Sequence, residues 1–200
     1  MRAAVRSIGA AALLLAAVPS VAAAHPDTTI PHGFLHGFEH PFSGWDHLLA
    51  MFAVGLWAAQ RGGRAVWALP LTFVATMVVA GALAMSGVGL PGVEAGILAS
   101  VFVLGLLIAL AAKVPAAAAV ALIALFAAFH GAAHGAEMPV GVGGFTYAAG
   151  FATATAGLHL AGAFLGIALQ RGLRERQQVW VRLAGASVCA AGVAFLILGS

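Results

Sequence analysis

The chain has 200 residues, of which 62% are hydrophobic and only 8% charged, with a mean hydropathy of +1.04. A water-soluble domain carries about 25% charged residues, so this composition excludes one and predicts an all-α integral membrane bundle with the lipid bilayer as solvent. The net charge of +3 is not gathered with aromatics into a patch, which argues against a nucleic-acid partner, and the lone Cys189, set in an apolar run, can form no internal disulfide.

Residues 1–24 have the pattern of a cleaved signal peptide: Arg2 and Arg6, then a short apolar stretch from Ile8 to Val18, a break at Pro19 and Ser20, and small residues at Ala22, Ala23 and Ala24. Cleavage there would start the mature chain at His25, outside the cytoplasm, with an α-amino group beside an imidazole. Residues 25–44, "HPDTTIPHGFLHGFEHPFSG", form a polar, histidine-rich external leader. His32, His36 and His40 are spaced by four and would form one stripe if helical, a collector for metal; a tail without order or lying in the membrane interface is the alternative.

The remainder, residues 45–200, is expected to form one membrane domain. Six apolar segments are expected at 45–60, 65–86, 93–112, 115–134, 144–169 and 179–198. A span needs about 20 residues, so the first is short and the fifth long. With an exported N-terminus, the loops after segments 1, 3 and 5 hold Arg61 and Arg64, then Lys113, then Arg171, Arg174, Arg176 and Arg182, every Lys and Arg of the mature chain. The positive-inside rule is met throughout, with both mature termini outside. Pairs of small residues, Gly131/Gly135 and Gly162/Gly166, predict close helix packing in lipid.

Histidines and acids collect on the opposite, outer side. "FHGAAHGAE" ends segment 4 with His130, His134 and Glu137 at i, i+4 and i+7, within roughly 60° on a helix face. Such groups are costly in a bilayer, and shared coordination of a metal would compensate them; interhelical hydrogen bonds are the other reading. "HPFSGWDH" supplies His40, Asp46 and His47 at the start of segment 1. Asp46 either orients His47 or complements the helix N-terminus. His25, His32, His36, Glu94 and His159 are accessory candidates: Glu94 as an entrance ligand or helix cap, and His159, deep in segment 5, as a second transit site, a proton acceptor or a hydrogen-bonded structural residue.

Imidazoles with carboxylates suit Ni, Co, Zn, Cu(II) or Fe(II). The sequence has no P-loop and no His-Glu-x-x-His. The residues fit a divalent-metal importer; a membrane Zn-dependent hydrolase using the same cluster is the alternative, and a haem-binding carrier fits less well.

The two motifs together, His40-x5-Asp46-His47 and the stretch from Phe129 to Glu137, resemble the HupE/UreJ family of nickel and cobalt permeases. The resemblance extends to the signal peptide and six spans. It implies a secondary permease rather than an enzyme, in the bacterial cytoplasmic (inner) membrane, with Ni2+ or Co2+ as transported substrate and no tightly bound cofactor.

Overall fold

Apolar runs interrupted by glycine, proline and arginine become helices whose ends fall at those interruptions. The computed structural model describes residues 32–138, 143–171 and 177–198. It comprises α1 (His32–Glu39), a 3-10 turn (His40–Phe42), α2 (Trp45–Arg61), α3 (Ala65–Met85), α4 (Val93–Leu110), α5 (Ala116–Ala136), α6 (Gly144–Arg171) and α7 (Gln177–Leu198). Each of the six expected segments coincides with one of α2 to α7 to within a few residues. The signal peptide expected at 1–24, and His25, lie outside the described residues.

Five helices, α3 to α7, are long and apolar enough to cross a membrane. The first expected span, α2, has 17 residues, and it forms the centre of the bundle. Ala50, Met51, Ala53, Val54, Leu56, Trp57 and Ala58 are wholly buried along it. The surrounding helices are apolar on their outer faces as well: Trp67, Leu71 and Val79 of α3, Phe164 of α6 and Leu196 of α7 are exposed. Such all-round hydrophobicity belongs to helices whose outer face meets lipid.

Glycines determine which helices approach closely. A Cβ at Gly131 would meet the backbone of Met77 and Gly81, and one at Gly135 the backbone of Gly81, so α5 lies directly on α3 and runs in the same direction. Gly55 meets the backbone of His159, and Gly162 that of Phe52, which joins α2 and α6 side by side, also parallel. Gly105 against Cys189 and Gly192 against Phe102 pair α4 with α7, antiparallel. The predicted pairs Gly131/Gly135 and Gly162/Gly166 are thus helix contacts, as small residues four apart are in membrane bundles.

The described part of the leader, from residue 32, differs from the unordered alternative. Residues 32–39 are helical, and Gly33 and Gly37 turn their bare face onto Thr146 and Tyr147 of α6. Glycine has low helix propensity, and here Gly33 and Gly37 are the surface by which the helix packs. The helix stops at Glu39, and His40 opens a 3-10 turn in which Pro41 is buried. His40 is partly buried there, whereas His36 is exposed on α1.

The basic residues meet at the other end of the bundle. Arg61 donates to the Val114 carbonyl at 2.7 Å, Arg182 to that of Ala109 at 2.7 Å and Gln60 to that of Ile108 at 2.9 Å. These donors satisfy carbonyls at and beyond the C-terminus of α4, where cations also complement the helix dipole. With Arg64 and Lys113 they border a cavity of about 930 Å³.

Candidate metal centre

At the end away from the arginines, six predicted side chains from two distant parts of the sequence converge. His40 comes from the 3-10 turn, Asp46 and His47 from the first turn of α2, His130 and His134 from the last two turns of α5, and Glu137 from the residue that caps α5. Between the 3-10 turn and α2 the chain is extended at Gly44 (φ −119°, ψ 126°). A Cβ there would lie 2.7 Å from Asp46 Oδ1 and 3.2 Å from His47 Nδ1. A side chain at this position would press on the Asp46–His47 pair, and glycine leaves the pair its room.

The hydrogen bonds around these imidazoles decide which nitrogen of each keeps its lone pair. Asp46 Oδ1 accepts from the His47 backbone N–H at 2.7 Å and from His47 Nδ1 at 2.8 Å. With the proton on Nδ1, the lone pair of His47 is on Nε2, which is buried and has no partner. Asp46 thus orients His47 and, by accepting a backbone N–H in the first turn of α2, also complements that helix's N-terminus.

His130 is fixed from the other side. Ser100 Oγ donates its single proton to the Ile97 carbonyl at 2.6 Å and so accepts from His130 Nε2, at 3.0 Å. The lone pair of His130 is then on Nδ1, again buried without a partner. Both nitrogens of His134 lack hydrogen bonds. Buried polar atoms in folded proteins are nearly always paired, so these nitrogens, gathered on neighbouring rings, are donors that could serve a shared ligand.

Two sets of three donors result. One nitrogen each from His47, His130 and His134 lie within 4.8 Å of one another, as do donor atoms of His40, His134 and Glu137. Bonds of about 2.0–2.1 Å from a metal to imidazole nitrogen require the rings to close in by about an ångström. His134 belongs to both sets. Glu137 Oε2 accepts from His40 Nε2 at 2.9 Å and lies 3.6 Å from His134 Nδ1. Its carboxyl is held down, from an ordinary 4.5 to about 2, by His134 and by His40, the shorter contact, against the opposing effect of burial. A cavity of about 460 Å³ lined by His40, Asp46, His47, His134 and Glu137 gives access to the sets, with His130 fully buried behind it.

The accessory candidates are dispersed. His36 is exposed on α1 and Glu94 is exposed in the first turn of α4, in neither set; His32 opens α1. His159 is 1% exposed, midway along α6, and its ring stands edge-on to Phe73 at 5.0 Å. Sequence reasoning missed Ser100; the available signal was a lone hydroxyl in the apolar run of α4. It also missed the aromatic wall: Phe151 lies 4.1 Å from His134 and Phe73 5.5 Å from His130, centroid to centroid.

Comparison with known proteins gives the same placement. The family model for "HupE / UreJ protein" matches residues 13–195. Protein HupE of Rhizobium leguminosarum bv. viciae is 44% identical over 181 residues, covering 90% of this chain and 93% of that protein. No solved structure matches. With the family match spanning both motifs and nearly all of the helical bundle, the chain belongs to the HupE/UreJ family.

Proposed function

We propose that the chain is a secondary permease that imports a divalent transition metal, nickel or cobalt, across the bacterial cytoplasmic membrane. In this reading a signal peptide is cleaved, α2 to α7 are the six spans, and the histidine-rich end faces outward with both mature termini. Membership in a family associated with nickel and cobalt handling supports the substrate class. The observation that carries the reading is the trio His47, His130 and His134 in an apolar bundle: one ring nitrogen of each lies within 4.8 Å of the others, and each ring has a buried nitrogen without a hydrogen-bond partner. The confinement of the described Lys and Arg residues to the opposite end supports the orientation.

The two donor sets suggest how an ion is passed inward. A neutral imidazole has one lone pair, and His134 is common to both sets. It therefore serves one ion at a time. An ion is first held by His40, Glu137 and His134 at the half-exposed outer position. It then moves to His47, His130 and His134, with His134 exchanging one set for the other. Neither set is a closed cage, as conduction requires binding weak enough for release. His25, His32, His36 and Glu94 would act earlier, gathering ions at the surface. The alternative of a hydrolase draws no support from the family match.

The test is uptake of nickel, cobalt and zinc into liposomes by the wild type, His130→Ala and Asp46→Ala. Wild-type uptake of nickel or cobalt, lost in both variants, is the expected result. An inactive wild type would refute the permease, and variants as active as the wild type would refute the site.

A further inference from the structure

We propose a second, inner metal-binding station built on His159 of α6, with the thioethers of Met51 and Met77 and the hydroxyl of Thr155 as its weaker donors. The proposal rests on the permease reading. Among the described residues, the buried polar or charged side chains are Asp46, Ser100, His130, His134, Thr155 and His159. The first four belong to the outer centre. The other two are one helical turn apart on the same face of α6.

His159 has both ring nitrogens buried and neither has a hydrogen-bond partner. That distinguishes it from His47 and His130, each of which has one nitrogen anchored. A histidine held only as a structural hydrogen-bonding residue would show a partner; an unpaired buried imidazole weakens the fold. Thr155 Oγ1 lies 3.4 Å from Met51 Sδ and 3.7 Å from Met77 Sδ. Its one proton can serve only one sulfur. The second thioether and the hydroxyl lone pairs remain for another partner, and α2 and α3 each bring a methionine to this point. Gly55 lets α2 come against the backbone of His159, which draws the Met51 segment close to that turn.

The station also lies on a route. The ring of Phe73 is 5.5 Å from that of His130 and 5.0 Å from that of His159, so one aromatic ring separates the two imidazoles. An ion leaving His130 toward the far end would next meet His159. One imidazole with thioether and hydroxyl donors binds a divalent ion less tightly than three imidazoles, as a place of passage requires.

The test is a titration of the full-length protein in detergent with Co2+, read by ligand-field absorption and by metal analysis after equilibrium dialysis. The wild type should take up Co2+ in two spectroscopically distinct steps. His159→Leu should lose the weaker step and keep the spectrum of the stronger; the double variant His130→Ala/His134→Ala, which takes donors from both outer sets, should do the reverse. Met51→Leu with Met77→Leu, close in volume to the native core, should weaken only the inner step, by tenfold or more. A single step, abolished by His130→Ala/His134→Ala and untouched by His159→Leu, would overturn the inner station and leave the permease standing. No Co2+ bound by the wild type would overturn both. If His159→Leu does not fold, the methionine variant decides: an unchanged inner step refutes thioether coordination.

Discussion

Asp46→Asn isolates the contribution of one carboxylate to the metal centre. The substitution is isosteric, and the amide oxygen can still accept the two bonds that Asp46 Oδ1 receives from His47, at 2.7 and 2.8 Å. The local backbone of α2 is therefore kept. The negative charge that makes His47 a better donor is lost, as is the strict requirement that its proton sit on Nδ1. Loss of a carboxylate behind a ligating histidine lowers metal affinity about 10- to 100-fold, or about 1.4–2.8 kcal/mol. The assay is Ni2+ titration by calorimetry on wild type, Asp46→Asn, His47→Ala and the double variant. If Asp46 acts only through His47, adding Asp46→Asn to His47→Ala should change affinity by less than twofold, a large coupling in the cycle. Additive losses would refute the reasoning and make Asp46 a direct ligand.

Other outcomes follow from the same contacts. Ser100→Ala removes the acceptor for His130 Nε2–H; Ni2+ affinity should fall about tenfold, and leaving that donor unpaired should lower stability by about 1–3 kcal/mol, seen as a lower Tm. Gly131→Ala drives a Cβ onto the backbone of Met77 and Gly81 and should cost about 1–3 kcal/mol by overpacking. Gly157, with nothing within 4 Å, is its control, and Gly157→Ala should be neutral or stabilising by up to about 1 kcal/mol in the same denaturation assay. The Glu137 carboxyl titrates near 2 when folded against an ordinary 4.5, so its ionised form stabilises the folded state above pH 4.5 and this contribution disappears as pH falls through that interval. The Tm difference between wild type and Glu137→Gln should narrow correspondingly; a difference independent of pH would refute the role given to the carboxylate.

The sequence made the helices legible because their limits are chemical: Arg61 to Arg64, Ser86 to Gly92 and Ala111 to Pro115 interrupt apolar runs that have no other reason to stop. Within one helix, angular position was readable too, which is why His130, His134 and Glu137 could be placed on one face. Contacts between helices were another matter. His40 and Glu137 are 97 residues apart and bond at 2.9 Å, a pairing that no periodicity encodes. His36 looks as good a ligand as His40 on spacing alone. The difference is that His40 lies in the 3-10 turn beyond α1, within reach of Glu137 at the end of α5, while His36 is exposed on α1, whose glycine face packs on α6. Ser100 escaped notice because a hydroxyl in an apolar helix usually bonds its own backbone; here it does that and receives an imidazole as well.

The glycine contacts divide the centre along a seam. His40, Asp46 and His47 are carried by the segment that lies against α6, whereas His130, His134 and Glu137 ride on α5, which is locked to α3 through Gly131 and Gly135. The donors of both triads come from opposite sides of this seam. In the proposed permease, an ion held by His47 together with His130 and His134 would be a staple across the seam, and handing it onward would release that staple. Cargo and mechanical linkage would be the same atom.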